Sequence, residues 1–325
     1  MSGLVLSILP DSLNPADTLN QCLGCLANDS TNGHVKVASA QSNDSGGLND
    51  LNGWMSAASI VGVKVAPFLE TRGKQSPSIA LVEALLNDCL DLLPKYPTVW
   101  ARDPKSGLPI VYFDSITALP PTDWLSIDRK AWHTVGNCGL PFTANTTDID
   151  VSVVMPYWNA KCFDGYYNGE PAGGFSSELI DEASEADIEI KLSAWGGVNR
   201  LGTLEYTDAH FTQTFRDTWA DALYCVGELA FDGVHLVVWD PSEGRKILGN
   251  PALTDLCAAY ACQLAAKPFP YSKPRTYLTT ATPALPQKEV LTIAKSGVTA
   301  TMVDVPGVTQ PTAGTRETYV SERTS

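Results

Sequence analysis

Two acids close together after an apolar run are the residues best placed to do chemistry in this chain: Asp240 and Glu243, in Trp239-Asp-Pro-Ser-Glu-Gly244. Cleaving a glycosidic bond takes two carboxyl groups, one to protonate the departing oxygen and one to activate water or attack the sugar carbon. Asp240 and Glu243 are the catalytic candidates on that ground, Glu243 as general acid and Asp240 as base or nucleophile, or with the roles swapped. The same Asp-Pro-Ser-Glu stretch also suits a plain exposed turn. A second constellation, Phe163-Asp164-Gly165-Tyr166-Tyr167, sets an acid beside a glycine that permits a tight exit from a strand. The ends of other apolar runs offer Asp11, Asp44, Glu70, Asp114, Tyr157, Trp158, Trp195 and Trp239. Aromatic faces stack on the apolar faces of pyranose rings, and carboxylates hydrogen-bond sugar hydroxyls. Asp164, Glu70, Asp114, Trp195, Trp239, Tyr112 and Tyr166 are therefore the substrate-binding candidates. The partner they suit is a polysaccharide or oligosaccharide.

The elements that must hold these residues follow from an alternation of short β-branched runs with longer helical patterns, which predicts parallel strands joined by helical crossovers. Eight strands are expected, over 3–9, 34–40, 61–69, 108–114, 150–156, 161–167, 188–195 and 233–240. Helices are expected from Asn14-Pro15, over 48–60, from Ser78, from Thr122, from Ser176, over 211–229 and from Asn250. The expected fold class is α/β, a (β/α)8 TIM-type barrel, irregular around strands five and six, where too few residues remain for a full helix. In such a barrel the working residues stand on the C-terminal ends of the strands. The barrel is assigned to residues 1–266. Residues 267–325 are rich in Thr, Pro, Val and Ala, lack helical periodicity, and form a C-terminal extension suited to homo-oligomer or larger assembly or to a disordered tail.

Composition narrows the partners. The formal net charge is -14 and the pI about 4.6, which argues against nucleic acid and anionic membranes because both need clustered Lys and Arg. No run is long and apolar enough to span a bilayer. The apolar start, Met1 to Pro10, has no preceding Lys or Arg and reads as a first strand rather than a signal peptide. The localisation that follows is cytoplasmic, or delivery inside a virus particle. Of the eight cysteines, Cys22 and Cys25 form a Cys-x-x-Cys, but no second pair at zinc spacing follows, and buried free thiols are expected. The four histidines show no metal spacing, and neither a phosphate loop nor a Gly-x-Ser-x-Gly elbow occurs. No metal and no cofactor are called for.

Several segments together resemble the glycoside hydrolases of families 71 and 99, endo-acting enzymes on α-glucans and α-mannans. The resemblance rests on Val63-Lys-Val-Ala-Pro-Phe-Leu-Glu70, Tyr96-Pro-Thr-Val-Trp100, Gly107-Leu-Pro-Ile-Val-Tyr-Phe113, Phe163-Asp-Gly-Tyr166, Phe215-Arg-Asp-Thr-Trp-Ala-Asp-Ala-Leu223 and Trp239-Asp-Pro-Ser-Glu-Gly244, in that order. It spans about residues 35 to 265. It implies that Asp240 and Glu243 match the two acids of the final loop. The family pattern usually has Asn between the Trp and the first acid; here Asp240 follows Trp239 directly, and Pro241 replaces a typical aromatic. A family 18 chitinase is set aside, since its alternating acids correspond here to His235, Val237 and Trp239. The function the resemblance implies is an endo-acting glycoside hydrolase on a neutral, α-linked polysaccharide. The alternative is a catalytically inactive glycan-binding or structural barrel, such as a virus-particle component.

Overall fold

The computed structural model describes residues 3–8, 13–41, 46–71, 77–104, 106–127, 130–136, 151–167, 189–194, 219, 233–240, 245–265, 292–293 and 300–301. Eight parallel strands pair in sequence order: β1 (Gly3–Ile8), β2 (Gly33–Gln41), β3 (Val65–Glu70), β4 (Ile110–Phe113), β5 (Trp132–Gly136), β6 (Gly165–Tyr167), β7 (Glu189–Ala194) and β8 (Gly233–Asp240). The last strand returns to pair with the first, Leu4 opposite Val234 and Val5 opposite His235, so the sheet closes into a barrel. A short β9 (Arg245–Lys246) turns back antiparallel on the end of β8. The fold class is the α/β TIM-type barrel that the alternation predicts.

Six helices are described: α1 (Pro15–Cys25), α2 (Gly46–Val61), α3 (Ile79–Leu90), α4 (Pro121–Trp124), α5 (Val151–Asn159) and α6 (Pro251–Leu264). Their starts are written in the local sequence. Asn14 caps α1 by accepting from the amides of Ala16 and Asp17, and Pro15 supplies the first turn. Asn250 and Pro251 repeat the device on α6, and Ser78 caps α3. Each helix lays its apolar side on the barrel wall. Leu19, Cys22 and Cys25 of α1, Val82, Leu85 and Leu86 of α3, and Leu253, Leu256 and Cys257 of α6 join Leu4, Leu6, Ile8, Val35, Val37, Val65 and Leu69 in one buried apolar layer.

The strands approach most closely around β1. A Cβ on Gly33 would lie 1.9 Å from the Leu4 carbonyl oxygen, and one on Gly233 would lie 2.3 Å from that of Gly3. Glycine at the start of β2 and of β8 is what lets both neighbours close on β1.

Two expectations are corrected. The fifth strand is Trp132–Gly136, and the Val-Ser-Val-Val-Met run expected as a strand is helix α5. A short β-branched run does not by itself distinguish a strand from a buried helix. Here Val154, Tyr157 and Trp158 fall on one side of a helix and pack into the outer layer, and that tertiary burial outweighs the β propensity of the run. The sixth strand is also shorter than expected and begins only at Gly165. The cysteines Cys22, Cys25, Cys89, Cys162, Cys257 and Cys262 are buried thiols outside any disulfide, as expected. Burial pushes the Cys22 and Cys257 thiols well above their ordinary range, which keeps them protonated. The helix expected from Ser176 and most of that over 211–229 lie outside the described residues; Trp219 is helical and stacks on Tyr260 of α6 with ring centroids 4.5 Å apart. Of residues 267–325, only the antiparallel pair β10 (Thr292–Ile293) and β11 (Ala300–Thr301) is described.

Candidate functional site

Alternate residues of each strand face the lumen, so the functional side chains can be followed in layers from the N-terminal to the C-terminal end. At the C-terminal rim, Glu70 is the last residue of β3 and Asp114 directly follows β4. Leu69 is level with Phe113, and the Asp114 amide donates to the Leu69 carbonyl at 3.1 Å. Glu70 and Asp114 therefore stand side by side on neighbouring strands, whose spacing is about 4.8 Å. Glu70 is partly buried and Asp114 is 5% exposed. Asp240 ends β8 at the same rim, its backbone paired with Arg245 of β9. Trp239 is level with Ile8, past an irregularity in the β1–β8 ladder. Glu243, Trp195, Asp11 and Asp44 lie outside the described residues.

One layer beneath the rim the lumen is filled by aromatic rings around a cation. Lys36 of β2 is 4% exposed, and its Nζ lies 4.1 Å from the centre of the Phe68 ring, 4.2 Å from that of Tyr167 and 5.7 Å from that of Tyr112. Such distances are within the reach of cation–π attraction. Tyr112 and Tyr167 meet edge to face with centroids 5.6 Å apart, and Tyr167 lies 4.8 Å from the His235 ring. The Tyr167 hydroxyl donates to the Phe113 carbonyl at 3.1 Å.

Deeper still the lumen stays polar. Tyr112 Oη and His34 Nε2 share a hydrogen bond of 2.7 Å. Lys191 and Glu189 of β7 form an ion pair of 2.6 Å, with Lys191 buried. Burial, aided by the Lys191 charge, lowers the His34 pKa to about 3, so its imidazole is neutral at ordinary pH. Burial, aided by the Glu189 charge, raises Tyr112 well above its usual range and keeps its hydroxyl protonated. Gly165 makes room for this layer: a Cβ there would stand 2.9 Å from Thr134 Oγ1 and 3.3 Å from Glu189 Oε2.

Three sequence candidates stand away from an open mouth. Asp164 lies at the N-terminal end of β6. Its carboxylate accepts from the His133 amide at 2.9 Å, its amide donates to the His133 carbonyl, and its carbonyl accepts from the Glu189 amide. It thus ties the starts of β5, β6 and β7 together, at the end opposite the rim. Tyr166 faces the helix layer, against Trp158 at 5.5 Å; Tyr167 is the tyrosine that enters the lumen. Tyr112 faces the lumen but is fully buried in the ring cluster. Tyr157 and Trp158 belong to α5.

Lys36, Lys191 and Glu189 were not among the sequence candidates. A signal for them does exist: His34-Val-Lys-Val and Glu189-Ile-Lys-Leu alternate polar with apolar residues. In a parallel barrel strand with helices outside, the polar set of such an alternation must face the lumen. Among the described residues no three His, Cys, Asp or Glu side chains converge as a metal site, and no helix is long and apolar enough to cross a membrane.

No family model and no curated protein matches this sequence. Solved structures do match its fold. Two structures of the GH99 endo-alpha-mannosidase from Bacteroides thetaiotaomicron superpose with TM-scores of 0.59 and 0.57, at 13% and 14% identity. Both cover 80% of this chain, and 88% and 84% of their own. A GH5 cellulase from an Icelandic hot spring isolate gives a TM-score of 0.50 at 12% identity, over 85% of this chain and 90% of that one. The chain has a barrel like that of glycoside hydrolases.

Proposed function

We propose that this chain is an endo-acting glycoside hydrolase on a neutral, α-linked polysaccharide, with Asp240 and Glu243 as its carboxyl pair. The observation that carries the reading is the gathering of Glu70, Asp114 and Asp240 at the C-terminal ends of β3, β4 and β8, on one rim of a closed barrel. That rim is where barrels of this kind keep their chemistry. The similarity in fold to an endo-α-mannosidase and a cellulase supports the sugar chemistry.

In this reading one of Asp240 and Glu243 protonates the leaving oxygen, and the other activates water or attacks the sugar carbon. Glu70 and Asp114 hydrogen-bond sugar hydroxyls at the rim, while Trp239 and Trp195 stack on the ring faces. The pyranose rests above the layer of Phe68, Tyr112 and Tyr167. Asp164 and Tyr166 act on the frame rather than on the sugar.

The test is release of new reducing ends from α-mannans and α-glucans. Asp240→Asn and Glu243→Gln are each expected to lower turnover by about 10²–10⁴-fold, the scale of a lost acid or base. Oligosaccharide affinity measured by calorimetry should persist. Undiminished hydrolysis by either variant overturns the assignment. Binding without cleavage by the unmodified protein would leave the glycan-binding barrel.

A further inference from the structure

A buried ammonium is costly unless its surroundings replace the lost water. For Lys36 that replacement includes the three rings that close around Nζ, supplied by three different strands. Two of those rings, Phe68 and Tyr112, belong to the lumen residues that immediately precede Glu70 and Asp114 on β3 and β4. By backbone register Lys36 is level with Ala66, two lumen positions below Glu70, and its ammonium reaches up to the rings directly beneath Glu70 and Asp114, two acids side by side on neighbouring strands.

Among the described residues, the other charged or titratable groups facing this part of the lumen are Glu189 and Lys191 of β7, His34 of β2, Tyr112 of β4, Tyr167 of β6 and His235 of β8. Glu189 and Lys191 pair with each other. Among the described residues, Lys36 is the lumen cation nearest in layer to Glu70 and Asp114.

We propose that Lys36 is a positioning residue for the acidic rim: its caged ammonium offsets the repulsion between the Glu70 and Asp114 carboxylates and holds both on the sugar-facing side. The kinetic part of this proposal rests on the hydrolase reading; the electrostatic part does not.

Lys36→Met keeps most of the side chain's bulk and removes the charge. Thermal unfolding of the variant and the unmodified protein is compared at pH 7 and pH 4, where carboxyls of ordinary pKa are roughly half protonated. The expected loss of Tm at pH 7 is about twice that at pH 4 or more, because a charge interaction weakens as carboxyl groups in general are neutralised. The comparison is repeated in a His34→Gln background, which takes the His34 titration out of the difference. A loss of equal size at both pH values means that packing, not charge, is the role, and overturns the proposal. A Met variant that folds only at pH 4 supports it. If the Met variant folds at neither pH, Lys36→Arg decides. An Arg variant that folds and keeps the wild-type pH dependence supports a charge requirement, and one that also fails makes shape the requirement and overturns it. On any polysaccharide the unmodified protein cleaves, Lys36→Met is expected to lower kcat about tenfold with KM changed by less than about twofold. An unchanged kcat overturns the positioning role. If the unmodified protein cleaves nothing, the hydrolase reading falls, and the Tm comparison still decides what Lys36 does.

Discussion

The two faces of the barrel wall are built on different principles. Outside the strands, Leu4, Leu6, Ile8, Val35, Val37, Val65 and Leu69 meet the helices in an apolar layer. Inside them, His34, Lys36, Tyr112, Tyr167, Lys191 and His235 fill a space that barrels of this class usually pack with Val, Ile and Leu. The outer layer gains stability from area removed from water and tolerates any well-shaped apolar side chain. The lumen depends on pairing: each buried charge or hydroxyl there needs a specific neighbour, and losing one strands the other. Stability is therefore spread widely over the outside, whereas the inside is sensitive to single residues and to pH.

The largest effect is expected in the outer layer. Trp124 of α4 is fully buried, donates its indole N–H to the Ile116 carbonyl at 3.0 Å, and meets Phe113 and Phe163 edge to face. Trp124→Ala should cost about 3–5 kcal/mol in chemical denaturation and should do so equally at pH 5 and pH 8. A strong pH dependence of that loss would blur the contrast between the two layers.

The lumen should respond to acid. His34 has a folded-state pKa of about 3, below its unfolded value near 6.5, so between these pH values the unfolded chain binds more protons than the folded one. Stability from this group is fully present above pH 6.5 and is lost as pH falls toward about 3, by roughly 4 kcal/mol over the window. His34→Gln removes that titration, so its stability should fall less steeply over the same range. A variant as acid-sensitive as the unmodified protein would count against a buried neutral imidazole.

The smallest change tests how tightly the polar layer is fitted. Gly165→Ala brings a methyl group against Thr134 Oγ1 and the Glu189 carboxylate. The expected cost is about 1–3 kcal/mol, read as a lower midpoint in urea. An unchanged midpoint would mean that the Glu189–Lys191 pair has room to shift.

Much of the frame was legible before the fold was known. The first four strands, the cap at Asn14, the helix starts at Ser78 and Asn250, and the α3 stripe all follow from local patterns that the structure keeps. The fifth strand did not, because Trp132-His-Thr-Val-Gly lacks an apolar run while Val151-Ser-Val-Val-Met has one. Glu70 and Asp114 were legible as strand-end acids, but that they are level neighbours depends on the β3–β4 register. Asp164 was assigned to the mouth because the sixth strand was expected to begin earlier; its first paired residue is Gly165, which leaves Asp164 at the opposite end.

The sequence by itself determined the repeated strand–helix order, the side of each helix that would be buried, and the supply of acids and aromatics at strand ends. These are local matters, decided by side-chain period and by capping chemistry within a few residues. Only the tertiary structure decided which polar residues meet inside the barrel, that Tyr167 rather than Tyr166 enters the lumen, and that a lysine is enclosed beneath the acidic rim. Those outcomes depend on how eight separate strands align when the sheet closes, and no single stretch of chain carries that register.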